Sequence, residues 1–170
     1  MLDQRICSLL EQVQISNGNS NSNGNGNGLH DRGRTFLTLV NVLGNMKVSF
    51  DELSERSQNA FLEALQETAQ SPPPLFSIAN TIMSLGRMKL RVDGHLSLPL
   101  RKAFRSILRT KLSTVPRSSF WKVLVGLADM GFQWTSLDVR TRMALQQELM
   151  KYDVFNSTRY SANNSSAPLK

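Results

Sequence analysis

The chain has a single cysteine, Cys7, so neither an internal disulfide nor a cysteine-based zinc cluster can be built from it. Cys7 itself reads as a small core residue on the first helix. The two histidines, His30 and His95, are too isolated to suggest a metal pair or a base with an oriented partner. His95 stands where related positions carry Leu53 and Leu137, which reads as a partly buried linker residue. No stretch reaches the roughly 18 uncharged apolar residues of a membrane span, so membrane insertion is not expected. The Gly/Asn tract at 16–28 lacks the following lysine and preceding strand of a phosphate loop. An enzyme is therefore the weakest class, and no cofactor, metal or small-molecule substrate is expected.

What the chain does have is a column of residues recurring every 42 positions. Phe36, Val40, Leu43, Gly44, Met46, Val48 and Phe50 are answered by Ile78, Ile82, Leu85, Gly86, Met88, Leu90 and Val92. These are answered in turn by Phe120, Leu124, Leu127, Ala128, Met130, Phe132 and Trp134. Phe61 and Leu65 align with Ala103 and Ile107, then with Leu145 and Leu149, in the same register. A period between about 20 and 50 residues signals stacked supersecondary units.

Within each copy the spacing is helical twice. Phe36, Leu39, Val40, Leu43 and Met46 are apolar with few charges between them, which predicts a helix buried on more than one side. Ser57, Ala60, Phe61, Ala64, Leu65 and Thr68 form one stripe backed by Glu55, Glu63 and Glu67, which predicts an outer helix. Ser54 is placed to cap that second helix, and the run SPPP at 71–74 ends it. The expected fold is all-α, an α-solenoid of stacked helical hairpins with a 42-residue repeat. Glycine costs a helix roughly 0.5–1 kcal/mol against alanine, so the column Gly44, Gly86, Ala128 predicts a close approach of helix backbones.

Residues 1–15 read as the second helix of an earlier, incomplete repeat, with Ile6, Leu9, Leu10 and Val13 on one side. Residues 16–35 read as a disordered Gly/Asn/Ser insert and the loop leading into the first repeat. The repeats are assigned to 36–77, 78–119 and 120–152, and 153–170 to a disordered tail. Trp134, in the Phe50 column, reads as a packing residue. Arg5 is the only basic residue of the first helix, beside Asp3 and Glu11, which is a weak match to an organelle-targeting peptide. That leaves a cytosolic or nuclear chain, or a processed or partial product.

The net charge is +7, which points to nucleic acid or an anionic surface as partner. The charge is concentrated in the second repeat, where the span from Arg87 to Lys122 has ten basic residues and one acid, Asp93. Arg101, Arg105 and Arg109 fall at i, i+4 and i+8 and form one helix ridge, with Lys102 beside it. Arg87, Lys89, Arg91 and Lys111 complete the expected phosphate-binding set.

The strings FSIANTIMSLGRMKL at 76–90 and FWKVLVGLADMGFQWTSL at 120–137 resemble octotricopeptide-type repeats, and also the repeats that precede RAP domains in organellar RNA-processing proteins. The similarity covers 36–152, on Asn80, Leu85 and Gly86 and on Leu127, Ala128, Met130, Gly131, Trp134 and Leu137. The unit is longer than the family's usual one, Lys122 replaces Asn80, Lys47 and Lys89 replace Gly131, and no RAP domain follows. The resemblance implies a solenoid that binds single-stranded RNA in a mitochondrion or plastid and assists RNA processing, stability, translation or ribosome assembly. It places base reading on polar positions of each first helix. Here these are the columns Thr38, Asn80, Lys122 and Asn45, Arg87, Asp129. Two other readings stand beside it: a non-catalytic scaffold docking an acidic partner through the basic face, and a structural piece of a larger ribonucleoprotein or ribosome.

Overall fold

The computed structural model describes residues 2–15, 27–70 and 77–164. Among these, every regular element is helical: α1 (Leu2–Ile15), α2 (Asn27–Asn45), α3 (Glu55–Gln70), α4 (Ile78–Arg87), α5 (Val92–His95), α6 (Leu98–Lys111), α7 (Arg117–Asp129) and α8 (Val139–Asn164). The protein is all-α. No described helix is long and apolar enough to cross a membrane.

The helices lie in two rows. α4 packs between α2 and α7, and α6 packs between α3 and α8, while α1 lies against α3. Apolar residues from Ile6 to Leu145 form one continuous core between the rows. The inner row is buried on several sides, as its charge-poor sequence requires: Phe36, Val40, Ile82, Leu85 and Val123 are almost inaccessible. Phe61 of α3 meets Phe36 and Phe50 edge-on, with ring centroids 5.2 and 5.6 Å apart.

The helices of the outer row start on side-chain caps. Ser54 Oγ accepts from the Ser57 amide at the head of α3, and Ser97 Oγ from the Leu100 amide at the head of α6. Asp138 Oδ1 accepts from the Thr141 amide at the head of α8. Each cap satisfies a first-turn N–H that has no partner inside its helix. Helix α3 ends at Gln70, ahead of the proline run.

The inner helices end alike. Lys47, Lys89 and Gly131 follow α2, α4 and α7 with φ of 55°, 56° and 79°. In each turn the amide of that residue bonds the carbonyl three back, Gly44, Gly86 or Ala128. The next amide, of Val48, Leu90 or Phe132, bonds the carbonyl five back, Leu43, Leu85 or Leu127. This is the Schellman arrangement, with the left-handed residue that normally favours glycine. Short helical turns beginning at Phe50, Val92 and Trp134 follow. The first two dock on the next turn through Phe50 N–H to the Met88 carbonyl, 2.7 Å, and Val92 N–H to the Met130 carbonyl, 2.9 Å.

Several expectations are corrected. Helix α2 begins at Asn27, so the expected loop is helical from there to residue 35; the helix propagates backwards from its buried half, with Gly33 itself buried. Residues 153–164, expected to be disordered, continue α8, because no proline or glycine interrupts the chain between Val139 and Asn164. The rest of the insert, 16–26, and the last residues, 165–170, lie outside the described residues. Trp134 is 47% exposed, whereas Phe50 and Val92 in the same column are 1% and 5% exposed. Phe50 and Val92 hydrogen-bond through their amides to the turn that follows, and no such turn follows Trp134 among the described residues.

Candidate nucleic-acid interface

The inner row is drawn together by glycine. A Cβ on Gly44 would lie 2.6 Å from the Ser84 Cα, and one on Gly86 would lie 2.8 Å from the Gly126 carbonyl oxygen. A Cβ on Gly126 would lie 2.5 Å from the Ile82 carbonyl oxygen. These are backbone obstacles, so α2, α4 and α7 approach closely only because side chains are absent there. The approach at Gly44 and Gly86 was expected from their column. Gly126 was missed, since its equivalents are Val42 and Ser84.

Close approach brings polar side chains of successive helices into contact. Arg87 Nη1 donates to Asn45 Oδ1 at 2.9 Å, and Lys122 Nζ donates to Asn80 Oδ1 at 3.0 Å, each bridging 42 residues of sequence. Ser84 Oγ donates to Asn41 Oδ1 at 3.0 Å. Together with Met83 these side chains line an open cleft of about 300 Å³. No carboxylate lines it. Neither cation forms an ion pair within 4 Å among the described residues, and the nearby Asp129 lies outside the cleft. A cleft with clustered charge of one sign and low-dielectric walls concentrates the field felt by an approaching anion.

Of the residues singled out for base reading, Asn45, Asn80 and Lys122 therefore meet in the cleft, and Arg87 joins them. Thr38 does not: its hydroxyl donates to the Arg34 carbonyl on the same helix. Asp129, exposed at the end of α7, lies over Gly86 rather than in the cleft. Asn41 and Ser84 were missed, because their columns carry apolar or absent side chains in the other copies and so give no periodic polar signal.

The arginine ridge of α6 is placed differently. Arg101 Nε donates to the Leu96 carbonyl at 2.9 Å, and its Nη1 pairs with Asp93 at 3.3 Å. Arg105 Nη2 donates to the Ser136 carbonyl at 2.9 Å, and Arg109 lies 3.9 Å from Asp138. The three side chains thus tie α6 to the turn before it and to the turn that leads into α8. Lys89 and Arg91 are exposed in the turn between α4 and α5, and Lys102 and Lys111 are exposed on α6.

Two side chains have shifted acidities. Asp138 is held below the usual carboxylate range, first by the Thr141 hydroxyl, which donates to Oδ2 at 2.7 Å, and further by the Thr141 amide and the nearby Arg109. The Cys7 thiol is pushed up, first by its hydrogen bond to the Glu11 carboxylate at 3.2 Å, which favours the protonated form. His95 sits in α5 with Nδ1 accepting from the Arg91 amide and Nε2 3.0 Å from Asp51, so it joins two successive turns. The chain matches no protein-family model, no curated protein and no solved structure.

Proposed function

We propose that the chain is an α-solenoid of 42-residue hairpins that binds single-stranded RNA along the cleft between α2, α4 and α7. The observation that carries this reading is the pair Arg87 and Lys122, held by neutral amides in a cleft without carboxylates. The recurrence of one left-handed C-cap at Lys47, Lys89 and Gly131 supports the solenoid part. Such cations neutralise phosphates and release the counterions condensed on the nucleic acid, so affinity falls with salt. Nothing in the cleft pairs a nucleophile with a base, so we read the protein as non-catalytic. The resemblance to octotricopeptide-type repeats supplies the biological setting: RNA processing, stability, translation or ribosome assembly in a mitochondrion or plastid.

A titration of fluorescently labelled single-stranded RNA from about 50 to 200 mM salt tests the reading. Micromolar or tighter binding that weakens with salt is expected. Absence of binding at the low-salt end would remove it.

A second reading, a protein-interaction scaffold, is favoured by a different surface. Trp121 and Val125 of α7, Trp134, and Val139, Met143 and Met150 of α8 are exposed apolar side chains. Such residues suit a protein contact better than a phosphate backbone. The two readings coexist in a subunit of a ribonucleoprotein that holds RNA on one surface and protein on another.

A further inference from the structure

The hydrogen-bonding polarity of the cleft limits what its ligand can be. Arginine and lysine side chains carry donors only. The atoms they touch in Asn45 and Asn80 are therefore the amide oxygens, and each amide NH₂ is turned away from its cation. The Asn41 amide oxygen is likewise taken, by the Ser84 hydroxyl. Each amide oxygen keeps one lone pair and Ser84 Oγ keeps its own, but donors outnumber these acceptors: three amide NH₂ groups and the further N–H groups of Arg87 and Lys122 remain for a ligand.

From this we infer that the cleft discriminates among RNA bases by their oxygen content, preferring uracil to cytosine and adenine. The inference rests on the RNA-binding reading. Phosphate oxygens are the same in every nucleotide and carry no preference. Base edges differ. Uracil presents two carbonyl oxygens, O2 and O4, flanking a single N–H. Cytosine replaces O4 with an exocyclic amine, and adenine has an exocyclic amine and no oxygen. An amine facing the Asn45 or Asn80 NH₂ sets donor against donor, and neither group regains the hydrogen bond it gave up to water. The uracil and cytosine pair is the cleanest contrast, since the two rings share size and weak stacking.

The test is fluorescence anisotropy with labelled ten-nucleotide oligomers of uridine, cytidine and adenosine at one ionic strength. It is run on the full chain, an Asn45→Leu, Asn80→Leu variant and an Arg87→Ala variant. The uridine oligomer is expected to bind about fivefold tighter than the cytidine oligomer, the equivalent of roughly one net hydrogen bond. In the double asparagine variant that ratio should fall to about one while binding still weakens with salt, since both cations remain. Asn45 and Asn80 are exposed, and a circular dichroism melt checks that the variant folds. Equal binding of uridine and cytidine by the unaltered chain, with salt-dependent binding weakened by Arg87→Ala, overturns the preference and leaves the RNA reading intact. A preference that persists in the double variant assigns it to other residues and also overturns the inference. No binding of any oligomer overturns both.

Discussion

At the scale of single residues, the backbone contacts between inner helices decide which substitutions the chain tolerates. Gly86→Ala adds a helix-favouring residue worth up to about 1 kcal/mol, but its Cβ would meet the Gly126 carbonyl. The steric term wins, because it acts on backbone that can yield only by separating α4 from α7. A net destabilisation of about 1–3 kcal/mol is expected, read from the urea midpoint. Lys89 is the opposite case. A lysine held in the left-handed region stores strain that glycine lacks, so Lys89→Gly should raise the urea midpoint, by about 0.5–1 kcal/mol of stability. Part of the site's residue-level logic was legible in the sequence and part was not. The small column at Gly44 and Gly86 announced close packing through its cost to the helix. The column Lys47, Lys89, Gly131 looked like a departure from a pattern, although its one glycine marks the conformation that all three adopt.

At the scale of elements, side-chain periodicity locates a helix face but not what that face meets. The spacing of Arg101, Arg105 and Arg109 places them correctly along one helix, α6. Their partners, the carbonyls of Leu96 and Ser136 and the carboxylates of Asp93 and Asp138, belong to turns whose paths no periodicity encodes. Arg105→Ala should therefore lower thermal stability, by about 1 kcal/mol, through loss of its bond to Ser136 across the α6–α8 contact. Helix α8 adds a pH dependence. Asp138 has its acidity raised in the folded state, chiefly by the Thr141 hydroxyl, and not in the unfolded one. Between the lowered value and the ordinary carboxylate value of about 3.9, the unfolded chain binds more protons. This contribution is fully present above the ordinary value and is lost as pH falls through the lowered one. Asp138→Asn should flatten that part of an acid melting series while keeping an amide oxygen able to cap the helix. The helical extent at both ends was underestimated for a related reason: composition flagged 27–35 and 153–164 as loop-like, while helix propagation from a packed segment continues where no proline stops it, even through Gly28 and Gly33.

At the scale of the whole molecule, five of the basic side chains fall into two groups that face different surroundings. Arg101, Arg105 and Arg109 act between elements and hold turns in place, whereas Arg87 and Lys122 face an open cleft that no carboxylate lines. The sequence carried the total and its concentration in one region, and it could not separate these populations because both lie within the same basic span. The division is open to one comparison. The salt dependence of single-stranded RNA binding would be measured for the unaltered chain, for Arg87→Ala with Lys122→Ala, and for Arg105→Ala. Each phosphate contact on a single strand contributes about 0.7 to the slope of log affinity against log salt, so the cleft pair should lower that slope by about 1.4 with little change in melting temperature. Arg105→Ala should lower the melting temperature and leave the slope where it was. A slope that falls with Arg105→Ala and is unmoved by loss of Arg87 and Lys122 would contradict the assignment of RNA to the cleft.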